Sequence, residues 1–276
     1  MNSDDSVPIA SGDTVSGRVD VGGRSLAFVR SGSGSPTVVL ESGLGAESDW
    51  WKPVQDAVAR FARVIRFDRA GKGLSDPAPT PRTSHDMVAD LHALLANAEI
   101  PGPYVLVGQS VGGLNVRVYA SRYPDDIAGM VLVDSMHEDQ FASMGALLPP
   151  PFPGEPAALT GFRQFWTKDW ADPAKNAEGI DLPASCAQGR AVTSLGDLPL
   201  AVLTADYENA PDLRDAPPAL LQAWTSRWWD LQGRLAKLST ASTHELVPGS
   251  GHFIQRDAPD AVIAAIRQVV ETSRRP

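Results

Sequence analysis

The run Gly-Pro-Tyr-Val-Leu-Val-Gly-Gln-Ser-Val-Gly-Gly, residues 102–113, constrains the fold of this chain more than any other stretch. Residues 104–107 are apolar and rich in β-branched side chains, the composition of a buried parallel strand. They pass directly into Gly108-Gln109-Ser110-Val111-Gly112, and a helical pattern follows with Leu114, Val118 and Tyr119 on one face. Strand, Gly-x-Ser-x-Gly and helix in immediate succession form the context of a nucleophile elbow. So sharp a turn excludes flanking side chains, which is why Gly108 and Gly112 stand there. Ser110 is expected above the carboxyl end of a sheet, where the orphan amides and dipole of a helix N-terminus favour negative charge.

A length of 276 residues allows one large α/β domain with an insertion, or two small domains. Apolar content is ordinary and no run approaches the length of a membrane span. The opening residues Met1-Asn2-Ser3-Asp4-Asp5 are acidic and lack the layout of a signal peptide. Cys186 is the only cysteine, so neither an intrachain disulfide nor a Cys-based metal cluster is expected, and the cytoplasm is the expected location. A net charge of −9 without a basic stripe argues against a nucleic-acid partner.

Taken in order, residues 17–21 and 25–29 alternate around Gly22-Gly23 and predict an edge hairpin. Strands are expected at 37–40, 63–67, 104–107, 129–133, 200–203 and 245–247. Helices are expected at 49–61, carrying Trp50, Val54 and Val58, at 84–98, carrying Met87, Leu91 and Leu94, at 217–237, and at 257–272. Strands alternating with helices imply an α/β fold, a mostly parallel sheet with helices on both faces. Between Asp134 and the strand near Leu200 the character changes. Pro149-Pro150-Pro151 and the aromatics Phe141, Phe152, Phe162, Phe165, Trp166 and Trp170 crowd that segment. A structureless loop of that size is not expected, and so many aromatics demand burial. The segment 135–197 is therefore read as a partly helical cap over the carboxyl ends of the strands. Residues 1–134 and 198–276 are read as the core domain.

Serine needs a base to take its proton. Of five histidines, His85 and His92 lie on or before a helix with polar neighbours and are expected to face solvent; His137 opens the cap and His244 begins the last strand. His252, in Pro248-Gly249-Ser250-Gly251-His252-Phe253, follows the last strand at the same sheet edge as Ser110, where a base is required. An imidazole in turn needs a carboxylate. Asp134, Asp206 and Glu208 all satisfy the chain order Ser, acid, His. Asp134 ends the apolar strand Val131-Leu132-Val133-Asp134, where a buried carboxylate requires a partner. Asp134 is preferred on that ground, with Glu208 as the alternative acid. An oxyanion requires two backbone donors, for which Val111 N–H and Leu44 N–H, within Gly43-Leu44-Gly45, are the candidates.

These motifs resemble those of the α/β-hydrolase fold family, and most of all its small, cap-bearing bacterial esterase-type members. Gly43-Leu44-Gly45 resembles the family's oxyanion loop, and Asp68-Arg69-Ala70-Gly71-Lys72-Gly73-Leu74-Ser75-Asp76 its Asp-x-x-Gly-x-Gly-x-Ser turn. Gly108-Gln109-Ser110-Val111-Gly112 resembles the elbow and Gly251-His252-Phe253 the catalytic-histidine loop. The chain departs from the pattern in Glu41-Ser42, where many members carry a His, and in Gln109, where His is usual. Ser110 stands where haloalkane dehalogenases and related epoxide hydrolases carry Asp and dienelactone hydrolases Cys. The resemblance implies a serine hydrolase of esters or lactones without metal or organic cofactor; the aromatic, Pro-rich cap suggests a small substrate with an apolar or aromatic acyl or alcohol part, and neither a membrane nor a nucleic-acid partner is expected. The same machinery serves amide or carbon–carbon bond cleavage and acyl transfer, and a non-catalytic ligand receptor is the alternative of another class.

Overall fold

The computed structural model describes residues 14–155, 157–207 and 217–275. The described strands are β1 (Val15–Asp20), β2 (Ser25–Ser31), β3 (Thr37–Glu41), β4 (Arg63–Phe67), β5 (Tyr104–Gln109), β6 (Ile127–Val133), β7 (Leu200–Ala205) and β8 (Ser242–Val247). They form one sheet in the order β1-β2-β4-β3-β5-β6-β7-β8. The β1–β2 hairpin and the β2–β4 pair are antiparallel, and every other pairing is parallel. This is the mostly parallel sheet that the sequence predicts.

Strand periodicity decides which helix covers which face. Side chains alternate across a strand, so Val39, Leu106, Met130, Leu132 and Val202 point to one side while Val38, Val105, Val107, Val131, Val133 and Leu203 point to the other. The first side packs against α2 (Ser84–Asn97) and α3 (Val111–Arg122) through Val88, Leu91, Leu95 and Tyr119. The second packs against the helix Lys52–Val58, here α1, through Val54 and Val58, and against the closing helix Pro259–Ser273 through Val262, Ile266 and Val270. Both faces are covered, which explains why the central strands are apolar throughout rather than alternating with polar residues.

Several local expectations are corrected. The helix expected at 49–61 begins as a 3₁₀ turn, Ser48–Trp51, and the changed rotation per residue buries Trp51 instead of Trp50. The helix after the elbow is buried on nearly all sides from Val111 to Ala120, because it is packed between the sheet, α2 and the later helix Leu182–Arg190. The last strand is longer than 245–247 and places His244 in its interior. The closing helical region breaks at Ala258, where Pro259 starts a new helix after the short helix Ile254–Asp257.

Between β6 and β7 the chain leaves the sheet and forms α4 (Gln140–Gly145), α5 (Ala157–Thr167) and α6 (Leu182–Arg190). Phe141 stacks on Trp170 with ring centroids 4.2 Å apart, and Trp166 meets Trp224 edge-on at 4.9 Å. Trp224 belongs to α7 (Pro218–Ala236), which lies between β7 and β8. The aromatic layer over the sheet is thus shared between the insertion and α7. Among the described residues no helix is long and apolar enough to cross a membrane.

Candidate active site

The chain runs from β3 outward to β4 and then returns to β5 on the other side of β3. At such a reversal the connecting loops part at the carboxyl ends of the strands and leave a crevice. The loop after β3 and the turn after β5 meet in this one. Ser110, between β5 and α3, has φ 54° and ψ −122°, a conformation that a non-glycine residue holds only when its surroundings enforce it. The enforcement is visible. Ser110 N–H donates to Val133 O at 3.3 Å, and Ser110 O accepts from Gly113 N at 2.9 Å and Met136 N at 2.9 Å. The flanking glycines have no alternative: a Cβ on Gly108 would lie 2.4 Å from Gly112 O, and one on Gly112 would lie 2.5 Å from Glu41 O.

Asp134 follows β6 with φ 42° and is fully buried. Its carboxylate is saturated. Oδ1 accepts from Ala205 N at 2.9 Å and from Trp228 Nε1 at 2.7 Å; Oδ2 accepts from Tyr207 Oη at 2.6 Å and lies 2.6 Å from His252 Nδ1. A carboxylate accepts only, so Nδ1 carries the hydrogen and Nε2 is left with a free lone pair. The His252 side chain is 34% exposed while that of Asp134 is 0% exposed, as expected of a group that reaches the cavity and a group that orients it. Glu208, the alternative acid, lies outside the described residues. Asp206 turns elsewhere and accepts from Gly249 N at 3.2 Å, at the start of the His252 loop.

Ser110, Val111, Leu44 and His252 line one cavity of about 530 Å³. Val111 opens α3, so its N–H has no intrahelical acceptor, and Leu44 N–H has no protein acceptor among the described residues. Phe141, Phe162, Phe165, Trp166, Trp224, Trp228 and Phe253 make most of the remaining wall. Among the described residues that line it, none is Asp, Glu, Lys or Arg. Polar side chains among the described lining residues are few: Gln109, Gln140 and Tyr207 besides Ser110 and His252. No cluster of three or more His, Cys, Asp or Glu suited to a metal ion occurs among the described residues.

Some of these roles escaped the sequence. Gln109 is wholly buried, and its Nε2 donates to His252 O at 3.0 Å, tying the elbow to the histidine loop. Tyr207 and Trp228 supply two of the hydrogens on Asp134, and their only sequence signal is position just after β7 and on a Trp-rich helix. The other histidines stand apart from this group. His85 is exposed. His92 is half-buried rather than in solvent, because it stacks on Tyr123 at 3.9 Å and its Nδ1 meets Tyr119 Oη at 3.1 Å. His137 is buried, and burial pulls its pKa down to about 4. His244 Nε2 lies 2.8 Å from Thr204 Oγ1 on the neighbouring strand.

Comparison with known proteins agrees with this architecture. The family model described as alpha/beta hydrolase fold matches residues 36–171. The chain is 27% identical to the uncharacterized protein YqjL of Bacillus subtilis (strain 168) over 87% of this chain and 85% of that one. It is 26% identical to the 2-(acetamidomethylene)succinate hydrolase of Mesorhizobium japonicum over 95% of this chain and 98% of the other. Among solved structures, a thermophilic esterase from Thermogutta terrifontis superposes with a TM-score of 0.61 at 22% identity, covering 95% of this chain and 100% of that one, a likeness of fold. With its sheet order, its strained serine turn and these matches, the chain has the α/β-hydrolase fold.

Proposed function

We propose that this chain is a serine hydrolase that cleaves a carboxylic ester or lactone through an acyl-enzyme on Ser110. The observation that carries the reading is the 2.6 Å contact between His252 Nδ1 and the buried Asp134 carboxylate, with Ser110 on the wall of the same cavity. His252 Nε2 takes the Ser110 proton as Oγ attacks the carbonyl carbon, and the Leu44 and Val111 N–H groups receive the charge that develops on the carbonyl oxygen. Asp134 holds the imidazole tautomer and stabilises the imidazolium. The imidazolium then protonates the departing alcohol oxygen. Water, deprotonated by Nε2, attacks the acyl carbon, and Ser110 recovers its proton. Each of these groups belongs to the chain, and the sequence of steps needs no metal or organic cofactor.

The wall that the described residues make is aromatic and uncharged, which favours a substrate with an apolar or aromatic acyl or alcohol part, since a charged group against those residues would lose its hydration without a partner among them. The hydrolase named for Mesorhizobium japonicum supports hydrolysis as the reaction class, and the esterase structure supports the fold on which it runs. The test is Ser110→Ala in the full chain. Turnover of short p-nitrophenyl esters should vanish and a fluorophosphonate probe should label wild type alone, with the melting temperature preserved. Comparable ester hydrolysis by the variant would place the nucleophile elsewhere. Labelling of Ser110 in a wild type that never turns over would point to a receptor.

A further inference from the structure

The loop that carries Leu44 is held by a buried ion pair assembled from two distant parts of the chain. Arg69, just beyond β4, donates from Nη1 to Ser42 O and from Nη2 to Gly43 O at 2.7 Å. Its Nε and Nη2 also meet the Glu178 carboxylate at 2.9 and 2.7 Å. Glu178 Oε1 in turn accepts from Gly45 N at 2.6 Å. Both side chains are 4% exposed. Two carbonyls before Leu44 and the amide after it are therefore taken by one pair of side chains. The Leu44 N–H, which those bonds leave over, belongs to a residue that lines the cavity.

The anchoring of Glu178 is equally specific. It sits in the insertion between α5 and α6, where Asn176 Oδ1 accepts from Ile180 N at 2.9 Å. Arg82 N donates to Gly179 O at 3.0 Å and Asp181 N to Arg82 O at 2.7 Å, so this part of the insertion is stitched to the segment before α2. Burial opposes charge on both members, yet each outweighs it for the other: Arg69 is held above its ordinary pKa and Glu178 below. A guanidinium suits the place because its planar fork reaches two carbonyls and a carboxylate together, which an ammonium cannot do.

We infer that Arg69 and Glu178 are positioning residues for the oxyanion donor, so that the insertion walling the substrate also sets the electrophilic side of the reaction. The inference rests on the reading of Leu44 N–H as an oxyanion donor. It makes catalysis sensitive to the seat of the insertion without any contact between Glu178 and substrate.

The test compares wild type with Glu178→Gln, which keeps shape but loses charge, and Arg69→Lys, which keeps charge but loses the fork. Removing one oxyanion donor outright costs about 10²–10³ in kcat, so a displaced donor should cost about 10- to 100-fold with KM within about twofold. Affinity for an aryl trifluoromethyl ketone, whose adduct carries the oxyanion, should fall by the same factor. Hydrogen exchange of the amides at 42–46 should accelerate in Glu178→Gln, a readout independent of turnover. Normal kcat and ketone affinity in both variants would overturn the inference, as would a raised KM at unchanged kcat. Should Glu178→Gln fail to fold, Arg69→Lys carries the same comparison. If wild type neither hydrolyses esters nor is labelled at Ser110, the hydrolase reading fails on its own. Unchanged exchange at 42–46 would then overturn the clamp as well, and faster exchange confined there would retain it.

Discussion

Asp134 shows how much a single side chain depends on its neighbours. A buried carboxylate is tolerable only when its lone pairs are filled, and here four donors fill them. Asp134→Asn leaves the shape but offers His252 the wrong partner, so kcat should fall by about 10⁴. Tyr207→Phe removes one charge-assisted hydrogen bond and leaves the others, so about tenfold is expected. Steady-state kinetics separates the two, and a Tyr207→Phe enzyme as crippled as Asp134→Asn would give Tyr207 a direct part in the reaction. Glu41 supplies a second test. Burial, only partly offset by Arg69, pushes its pKa from 4.5 to about 7. The folded chain therefore binds a proton there that the unfolded chain has released, so the stability it contributes is full below pH 4.5 and is lost as pH rises through 7. Glu41→Gln cannot ionise, and should match wild type in Tm at pH 4.5 and exceed it above pH 7. An equal difference at both ends would show that the effect is packing alone.

The insertion and α7 act together as the wall of the cavity. Phe162 and Trp166 project from α5 toward Trp224 of α7, with centroids 5.0 and 4.9 Å from it. Trp228, one turn further on, lines the cavity and donates to Asp134, so the same helix reaches both the cavity wall and the buried carboxylate beside His252. Losing one aromatic contact forfeits about 1.5–3 kcal/mol of burial for a ligand group that needs it. Trp166→Ala should accordingly raise KM for aryl esters by about tenfold or more, and much less for acetate esters. Equal losses for both substrates would make α5 a structural cover rather than a binding wall.

Across the whole molecule, long-range polar ties hold the pieces in register. Asp90 on α2 binds Arg24 from the β1–β2 turn and Arg82 from the strap before α2, and its own side chain is 6% exposed. Arg82 also pairs with Ile180 of the insertion, so one carboxylate links the sheet edge, a face helix and the cover of the site. Removing the carboxylate from such a group strands the buried Arg82 and the part-buried Arg24. Asp90→Ala should therefore cost about 3 kcal/mol in urea unfolding, against less than about 1 kcal/mol for an exposed pair such as Lys52–Asp56. A loss no larger than the exposed pair's would show that the two arginines find other partners or water.

The α/β architecture and the elbow were legible because they are written in contiguous residues. Two-residue alternation, continuous apolar strands and Gly-x-Ser-x-Gly between strand and helix are local signals, and local sterics enforce them. The same holds for Val111, whose place at the head of α3 follows from Ser110. The partner of His252 was not legible in that way. Asp134, Asp206 and Glu208 all satisfied chain order, and only the pairing of β6 with β5 and β7 brings Asp134 to His252, 118 residues away. Its other donors, Tyr207 and Trp228, come from beyond β7 and from α7, positions that no periodicity connects to a carboxylate. The grip of Arg69 and Glu178 on the Leu44 loop is of the same kind, spanning 109 residues. Spacing along the chain records chemistry that a single turn can enforce. Chemistry that depends on a buried charge finding its donors is settled only when distant segments exclude water together.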